Sequence, residues 1–176
     1  ATDISFLPEI EAYGTYYLDA SGTQKDLPDM LKENGCNTIR IRLWHTPATT
    51  HSSLQEVTTL AARIKSKGFK LWLDIHYSDT WADPSAQTKP AAWNTLSFSL
   101  LQDSVYNYTR NVVALLHPDI VQAGNEINGG LLWPDGSSSN PANFIALLKK
   151  ASAAIRSVDP GIKIMIHYAG LDGSGA

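Results

Sequence analysis

The residues of this chain best suited to chemistry are Asn125 and Glu126, two polar residues that end the segment VQAGNE. The residues before them are mostly apolar or small, as in a buried β-strand. A carboxyl group at the end of such a strand destabilises the fold unless it is paired or used. A positioned glutamic acid can give a proton to a reacting group and take one back. The sequence therefore marks Glu126, with Asn125 beside it, as a candidate functional residue.

Four segments share the pattern of a strand with one buried face, and they cover residues 37–44, 69–78, 119–126 and 162–169. Side chains alternate between the two faces of a strand, so each segment has an apolar face and a face with polar groups near its C-terminal end. If the strands are parallel, we expect these polar groups to meet at one edge of the sheet. Besides Glu126, the groups are those of Arg40, Arg42, Asp74, His76 and His167.

Each of these polar residues also has a structural interpretation. An arginine and an aspartate on neighbouring strands can form a buried ion pair, and Arg40 or Arg42 with Asp74 fits that description. A single buried histidine such as His76 or His167 is more often a hydrogen-bonded core residue than a catalyst. The occurrence of all these groups at one edge favours a functional site.

The strands alternate with segments of helical character, which predicts right-handed βαβ crossovers and a parallel sheet. Helix start and stop signals occur in residues 52–68, and the same character returns in 98–116 and 140–161. A first strand at 3–6 and a helix in 24–35 precede them. An open doubly wound sheet and a (β/α)8 barrel both fit this alternation. The barrel is favoured because no Gly-rich phosphate-binding turn follows the first strand.

The composition limits the classes of function. The chain has 176 residues, 43% of them hydrophobic and 18% charged, with a formal net charge of -3, so we expect one globular domain. There is no run of Lys and Arg, so nucleic acid is not an expected partner. No apolar stretch reaches the roughly 20 residues that span a bilayer, so no membrane partner is expected. The sequence has no closely spaced His, Cys and Asp ligands for a metal, and no cofactor is expected.

Residues 107–109 read Asn-Tyr-Thr, which is an acceptor sequence for N-linked glycosylation at Asn107. The N-terminus lacks the basic start and long apolar middle of a signal peptide. Together these features predict a secreted, extracellular glycoprotein that has already been processed.

Two longer motifs point to a family. The chain carries HYSDTWADPSAQTKPAAW at 76–93 and GNEINGGLLWPDG at 124–136, with TIRIRLW upstream and MIHYAG downstream. These blocks resemble the endo-β-1,4-galactanases of glycoside hydrolase family 53, in the retaining clan of (β/α)8 glycosidases. The resemblance implies endo-hydrolysis of β-1,4-galactosidic linkages in the galactan or arabinogalactan side chains of pectin. Its implied partner is a polysaccharide, β-1,4-galactan.

The resemblance also implies roles for individual residues. Glu126 would be the general acid that protonates the departing oxygen and then the base that activates water. Asn125 would bond the sugar 2-hydroxyl. Arg40, with Arg42 as the second choice, matches the strand-two arginine that holds the nucleophile ionised. The other matching residues line the cleft, namely His76 and His167 near the cleaved sugar and Asp79, Trp81, Trp93 and Trp133 in the loops.

The residue types suit this chemistry. Cleavage of a glycosidic bond passes through an oxocarbenium-like state, which needs a protonated carboxyl for the leaving group and a carboxylate for the cation. Tryptophan rings pack on the C–H face of a pyranose, while Asn, Asp and His bond its hydroxyls. Core packing is the alternative for a tryptophan, and we favour it for Trp72 and leave it open for Trp44.

The second carboxylate of the family is a Glu at the end of the seventh strand. A complete barrel takes about 250 residues, so residues 1–176 are predicted to be the N-terminal portion of a single (β/α)8 catalytic domain, with about five βα units. Asp74 and Asp172 are the alternatives for a nucleophile within the chain. We predict little or no hydrolysis by the chain alone.

Three explanations are open for the expected absence of strands six to eight from this sequence. In the first, strands six to eight of a normal galactanase lie on a second polypeptide or outside this sequence. In the second, the chain is a half barrel that completes itself by association. In the third, it is an inactive relative that binds galactan or serves as an assembly module. The first is favoured because apolar faces without edge protection are typical of part of a larger core.

Overall fold

Five parallel strands form the main sheet, and their order in the sheet follows their order in the sequence. The computed structural model describes residues 1–170. A doubly wound sheet would reverse its winding at a switch point, and these five strands have none, so the winding is that of a barrel. The strands are β1 (Thr2–Asp3), β2 (Thr38–Leu43), β3 (Lys70–Ile75), β4 (Ile120–Ala123) and β5 (Lys163–Met165).

Helices connect successive strands. They are α1 (Leu7–Ala12), α2 (Leu27–Glu33), α3 (Leu54–Ser66), α4 (Phe98–Leu116) and α5 (Pro141–Val158). The last three are capped by Ser53, Ser97 and Asn140. Each side-chain oxygen accepts the backbone N–H of the residue three positions further along the chain, which satisfies a free donor at the helix start. The predicted helices are confirmed. None of the helices within residues 1–170 is both long and apolar enough to cross a bilayer.

The prediction missed the short elements. Helix α1 lies directly after the first strand, in a segment for which no helix was predicted. Two antiparallel ribbons were also missed, one pairing Tyr17–Leu18 with Gln24–Lys25 and the other pairing Gly130–Leu131 with Gly136–Ser137. Strands of two residues and a helix of six are too short for an apolar repeat to appear in the sequence.

One face of the sheet is apolar, as the alternation predicts. The strand register places Ile41, Leu73 and Val121 in one row, and all three are buried. They belong to the same core as Ile64 of α3 and Val113 of α4. This face therefore holds the helix layer on the sheet, since burial of apolar area is the main stabilising contribution.

The opposite face of these strands is polar. Arg42, Asp74 and Gln122 form one row and are almost completely buried. Buried charges require partners, so this face depends on hydrogen bonds near the carboxyl ends of the strands. The apolar face predicted for residues 162–169 does not extend to Ile166, which lies beyond the end of β5 and is exposed.

Candidate active site

Glu126 lies beyond the end of β4, where the backbone turns sharply. Gly124 begins the turn with φ +89°, and a Cβ there would lie 2.6 Å from the side chain of Ile127, so glycine is required. Glu126 has φ 50° and ψ 49°, a left-handed conformation that is unfavourable for a residue with a side chain. It is half-buried between two buried neighbours. Strained residues of this kind cluster at functional sites.

Asn125 is buried beside Glu126 and joins several strands. Its amide oxygen accepts hydrogen bonds from Arg40 Nη2 at 2.9 Å and from Gln122 Nε2 at 3.1 Å. Its amide nitrogen donates to the carbonyl of Ala82 at 2.8 Å. These partners decide which end of the amide is oxygen. The second N–H of Asn125 has no acceptor within residues 1–170.

His167 follows β5 and contacts the Glu126 turn. Its Nδ1 lies 3.3 Å from the backbone nitrogen of Glu126 and 3.0 Å from Asn125 Oδ1. One ring nitrogen cannot accept from Glu126 and donate to Asn125 at once, so the tautomer decides which bond forms. The backbone N–H of Ile127 donates to the carbonyl of His167 at 3.0 Å. The end of β5 is therefore tied to the turn in either tautomer.

Arg40 connects the first four strands through its guanidinium group. Nη1 donates to Asp3 Oδ2 at 2.5 Å and Nη2 to Asp74 Oδ2 at 2.6 Å. Nε donates to Gln122 Oε1 at 3.3 Å. Because the Asp74 side chain is fully buried, the Arg40–Asp74 pair is the structural ion pair that the sequence allowed. This pairing disfavours Asp74 as a nucleophile, and Asp172 lies outside the described residues.

His76 is buried on the polar face next to Asp74. Its Nε2 lies 2.9 Å from Asp74 Oδ2, and its Nδ1 accepts the backbone N–H of Ala82 at 3.0 Å. Because Nδ1 is an acceptor, the proton is on Nε2, which donates to Asp74. Both ring nitrogens are therefore occupied, and His76 orients Asp74 and the loop that follows β3.

Arg42 lies in a different environment from Arg40, although both are on β2. Its Nε donates to Ser52 Oγ at 3.1 Å and its Nη2 to His51 Nε2 at 2.6 Å. Burial lowers the pKa of Arg42, and the negative charges of Asp3 and Asp74 oppose that effect. Arg42 forms no ion pair with a carboxylate in the part of the chain described.

Trp81 follows β3 and is 41% exposed. The guanidinium carbon of Arg42 is 4.5 Å from the centre of the Trp81 ring, and 4.6 and 5.0 Å from those of Phe6 and Trp44. Cations attract aromatic faces, so Arg42 holds these rings in place. The ring of His76 meets Trp81 edge-on at 5.5 Å, which connects this aromatic group to the polar network.

Asp79 braces the loops around the rim. Its Oδ1 accepts the backbone N–H of Thr46 at 2.9 Å, and its Oδ2 accepts that of Ala91 at 2.8 Å. Both carboxylate oxygens are therefore bonded to backbone groups. The contacts identify Asp79 as a residue that shapes the cleft loops, and its contact with substrate stays a prediction.

Trp93 and Trp133 differ in their surroundings. Trp93 is 6% exposed and packs edge-on against His45 at 4.6 Å, so it behaves as a core residue with little ring area open to a sugar. Trp133 is half-buried, and its Nε1 donates to the carbonyl of Gly129 at 2.8 Å. It lies beside the turn that carries Glu126.

Sequence reasoning did not assign Gln87 or Gln122 to the site, although both are buried and bonded to it. The alternation of β4 places Gln122 on the polar face, and that pattern was a sufficient signal. Gln87 lies in a loop without periodicity, and its contacts depend on the tertiary fold.

Two remaining predictions concern groups away from this network. Asn107 is exposed on α4, while Thr109 of its acceptor sequence is buried and 2.7 Å from the hydroxyl of Tyr77. Glycosylation of Asn107 stays a prediction.

Within residues 1–170, no group of three or more His, Cys, Asp or Glu side chains is arranged to hold a metal ion.

The fold and the site together define a class of protein. Consecutive parallel βα units with polar side chains gathered at the carboxyl ends of the strands are the architecture of a (β/α)8 barrel and its active-site face. The described strands account for about five such units.

The chain belongs to Glycosyl hydrolase family 53, whose sequence profile matches residues 1–175. The GH53 catalytic domain of Ignisphaera aggregans is 46% identical, with a TM-score of 0.94 over 98% of this chain and 51% of that one. A structure from a study of two fungal β-1,4-galactanases is 40% identical, with a TM-score of 0.91 over 96% and 52% of the two chains. The probable arabinogalactan endo-β-1,4-galactanase A of Neosartorya fischeri is 41% identical over 94% of this chain and 48% of its own.

These similarities confirm the family and the barrel-type fold that the two motifs predicted. The chain spans about half the length of the curated relatives it matches.

Proposed function

We propose that the chain forms the acid/base half of an endo-β-1,4-galactanase, which hydrolyses β-1,4-galactosidic linkages within arabinogalactan. The observation that carries this proposal is the strained turn at Glu126, whose side chain makes no hydrogen bond within residues 1–170. A half-buried carboxyl group of this kind is available to a substrate. The names of the fungal relatives support the choice of substrate.

The proposed reaction retains the anomeric configuration and has two steps. In the first, Glu126 donates its proton to the glycosidic oxygen while a second carboxylate attacks the anomeric carbon, which releases the shortened chain. In the second, Glu126 takes a proton from water, which attacks the same carbon and frees the second carboxylate. The two carboxyl groups must be about 5–5.5 Å apart. The nucleophile is expected to be a Glu on the seventh strand, outside this chain.

The neighbours of Glu126 have proposed roles in the same reaction. The available N–H of Asn125 suits a hydrogen bond to the sugar 2-hydroxyl, which strengthens as the transition state forms. Arg40 bonds to Asn125, and we propose that its positive charge helps to keep the nucleophile ionised. Arg42 is better suited to support Trp81, because it lies beneath the aromatic rings.

The proposed substrate contacts come from aromatic and polar groups at the rim. Trp81 offers an exposed ring to the C–H face of a galactosyl unit, and Trp133 lies next to the catalytic turn. His167 reaches the turn from β5. Trp93 is not included, because its ring is buried.

The proposed complete barrel needs strands six to eight, carried by a second polypeptide or by further chain. We also propose that the protein acts outside the cell on the side chains of pectin, because a polymeric substrate of this kind cannot cross a membrane. A glycan at Asn107 would agree with that location, and removal of N-glycans would then lower the intact mass.

The test combines this chain with a polypeptide that carries strands six to eight and measures reducing ends released from β-1,4-galactan. We expect cleavage by the combination, little by either part, and none when this chain carries Glu126→Gln. Full activity of the Glu126→Gln variant would contradict the proposal.

A second candidate function is binding without cleavage. The observation that favours it is the 41% exposure of Trp81, which can contact a sugar without a second carboxylate. Under this alternative, isothermal titration would give saturable galactan binding with no release of reducing ends, even after the second polypeptide is added.

A further inference from the structure

Gln87 bonds to the backbone on both sides of Glu126. Its amide nitrogen lies 2.8 Å from the carbonyl oxygen of Asn125, 3.2 Å from that of Glu126 and 3.0 Å from that of Asp83. The residue is 2% exposed. Three carbonyl oxygens accept hydrogen bonds and cannot donate them, so the nitrogen of the Gln87 amide must face them.

These bonds act on the two dihedral angles that aim Glu126. The carbonyl of Asn125 belongs to the peptide plane before the Glu126 Cα, and the carbonyl of Glu126 belongs to the plane after it. When both carbonyls bond to one donor, the two planes are fixed relative to each other. The result is the observed φ of 50° and ψ of 49°, which determines the direction of the Cα–Cβ bond.

We propose that Gln87 is a positioning residue for the acid/base group of Glu126, which rests on the function proposed above. Gln87 holds an unfavourable backbone conformation that aims the carboxyl group at the glycosidic oxygen. Without this donor, the turn relaxes toward an ordinary conformation and the carboxyl group moves away from its target.

A purely structural role would be to join two loops. The backbone N–H of Trp133 donates to the carbonyl of Gln87 at 2.7 Å, and Lys89 Nζ bonds to Asp135 Oδ2 at 2.6 Å. Lys89 and Asp135 link the same two loops but do not bond to Glu126. Lys89→Met is therefore a matched control, because it weakens the junction and leaves both carbonyls of the turn bonded to Gln87.

The test uses this chain combined with the polypeptide that carries strands six to eight. Gln87→Glu keeps the shape but removes the donor, and Gln87→Met removes both polar atoms. We expect kcat/KM on galactan to fall by about 10- to 100-fold in both variants, since a misplacement of about 1 Å can cost about 100-fold. Lys89→Met should lose much less.

The leaving group separates positioning from stability. A 2,4-dinitrophenyl β-galactoside releases a phenolate that needs no proton from the enzyme, so kcat/KM on this substrate does not depend on the acid. We expect the Gln87 variants to lose about tenfold less on this substrate than on galactan. Equal losses on the two substrates, or no loss on galactan, would overturn the proposal.

A second measurement requires no activity. The Cα and Cβ chemical shifts of Glu126 report its backbone conformation, and both Gln87 variants should move them away from left-handed values while Lys89→Met does not. Unchanged shifts in the Gln87 variants would overturn the proposal. The Glu126→Gln variant distinguishes failure of the proposed function from failure of the positioning role. If Glu126→Gln remains active, the proposed function is wrong. If it is inactive and the Gln87 variants have normal activity, only the positioning role is wrong.

Discussion

Arg40 pairs with Asp74 at 2.6 Å although the residue in register with Asp74 is Arg42. The Arg40 side chain reaches along β2 toward the carboxyl end, and Arg42 turns to His51 instead. Two arginines separated by one residue therefore have separate roles, one in the polar network and one beneath the aromatic rings.

The first prediction concerns this ion pair. Arg40→Met leaves the buried carboxylate of Asp74 without its cation, and we expect the free energy of unfolding to fall by about 3–5 kcal/mol. Urea unfolding followed by tryptophan fluorescence measures the change. The double variant with Asp74→Asn removes the uncompensated charge and should recover part of the loss. A double variant no more stable than Arg40→Met would contradict this account.

The second prediction concerns the left-handed conformation of Glu126. Glycine relieves a strain of about 1–2 kcal/mol, but its freedom in the unfolded chain offsets about 0.5–1 kcal/mol of that gain. We therefore expect Glu126→Gly to be more stable than Glu126→Ala by about 0.5–1 kcal/mol. Thermal unfolding of both variants tests the difference. Greater stability of the alanine variant would argue against the observed φ.

The third prediction separates two tryptophans that the sequence placed together. Trp93→Ala should lower the free energy of unfolding by about 3–5 kcal/mol, because it empties a buried site. Trp81→Ala should lower it by about 1 kcal/mol, the value of one cation–π contact. Calorimetry with galactan should show binding weakened about tenfold in Trp81→Ala, or about 1.4 kcal/mol. Unaltered galactan affinity would exclude Trp81 as a contact.

The fourth prediction concerns pH and His45. Burial lowers the pKa of His45 below its ordinary value of about 6.5, and Asp79 opposes this only in part. The unfolded chain therefore binds the proton more readily than the folded chain. The contribution of neutral His45 to the free energy of unfolding is complete above about pH 6.5 and is lost as the pH falls through the folded-state pKa.

Unfolding in urea between about pH 7.5 and about pH 5 measures this loss. His45→Phe keeps an aromatic ring against Trp93 and removes the titration, so its stability should fall less over the same range. The interpretation is wrong if the two proteins show the same dependence on pH.

The alternation of side chains along β2, β3 and β4 was sufficient to predict the sheet and its polar face, because a period of two assigns every residue to a face. It placed Arg40, Asp74 and His76 together before any distance was known. The short helix α1 was missed, since six residues carry too little periodicity.

Loop residues were harder to assign for a different reason. Trp81 and Trp93 occur in one motif of the sequence, residues 76–93, yet one is exposed and the other is buried. Their burial depends on packing against residues distant in sequence, such as His45 for Trp93. Gln87 bonds to carbonyls 38 and 39 residues further along the chain, and no local pattern reports such a contact.

The consecutive order of the strands affects how this polypeptide can form during synthesis. Each βα unit leaves the ribosome next to the unit with which it pairs, and domains generally fold from the N-terminus as the chain emerges. Each strand of the main sheet can therefore pair as soon as the next strand in the sequence has emerged. The polar network forms in steps, because Asp3 gains its cation only after Arg40 has emerged, and Arg40 reaches Gln122 82 residues later.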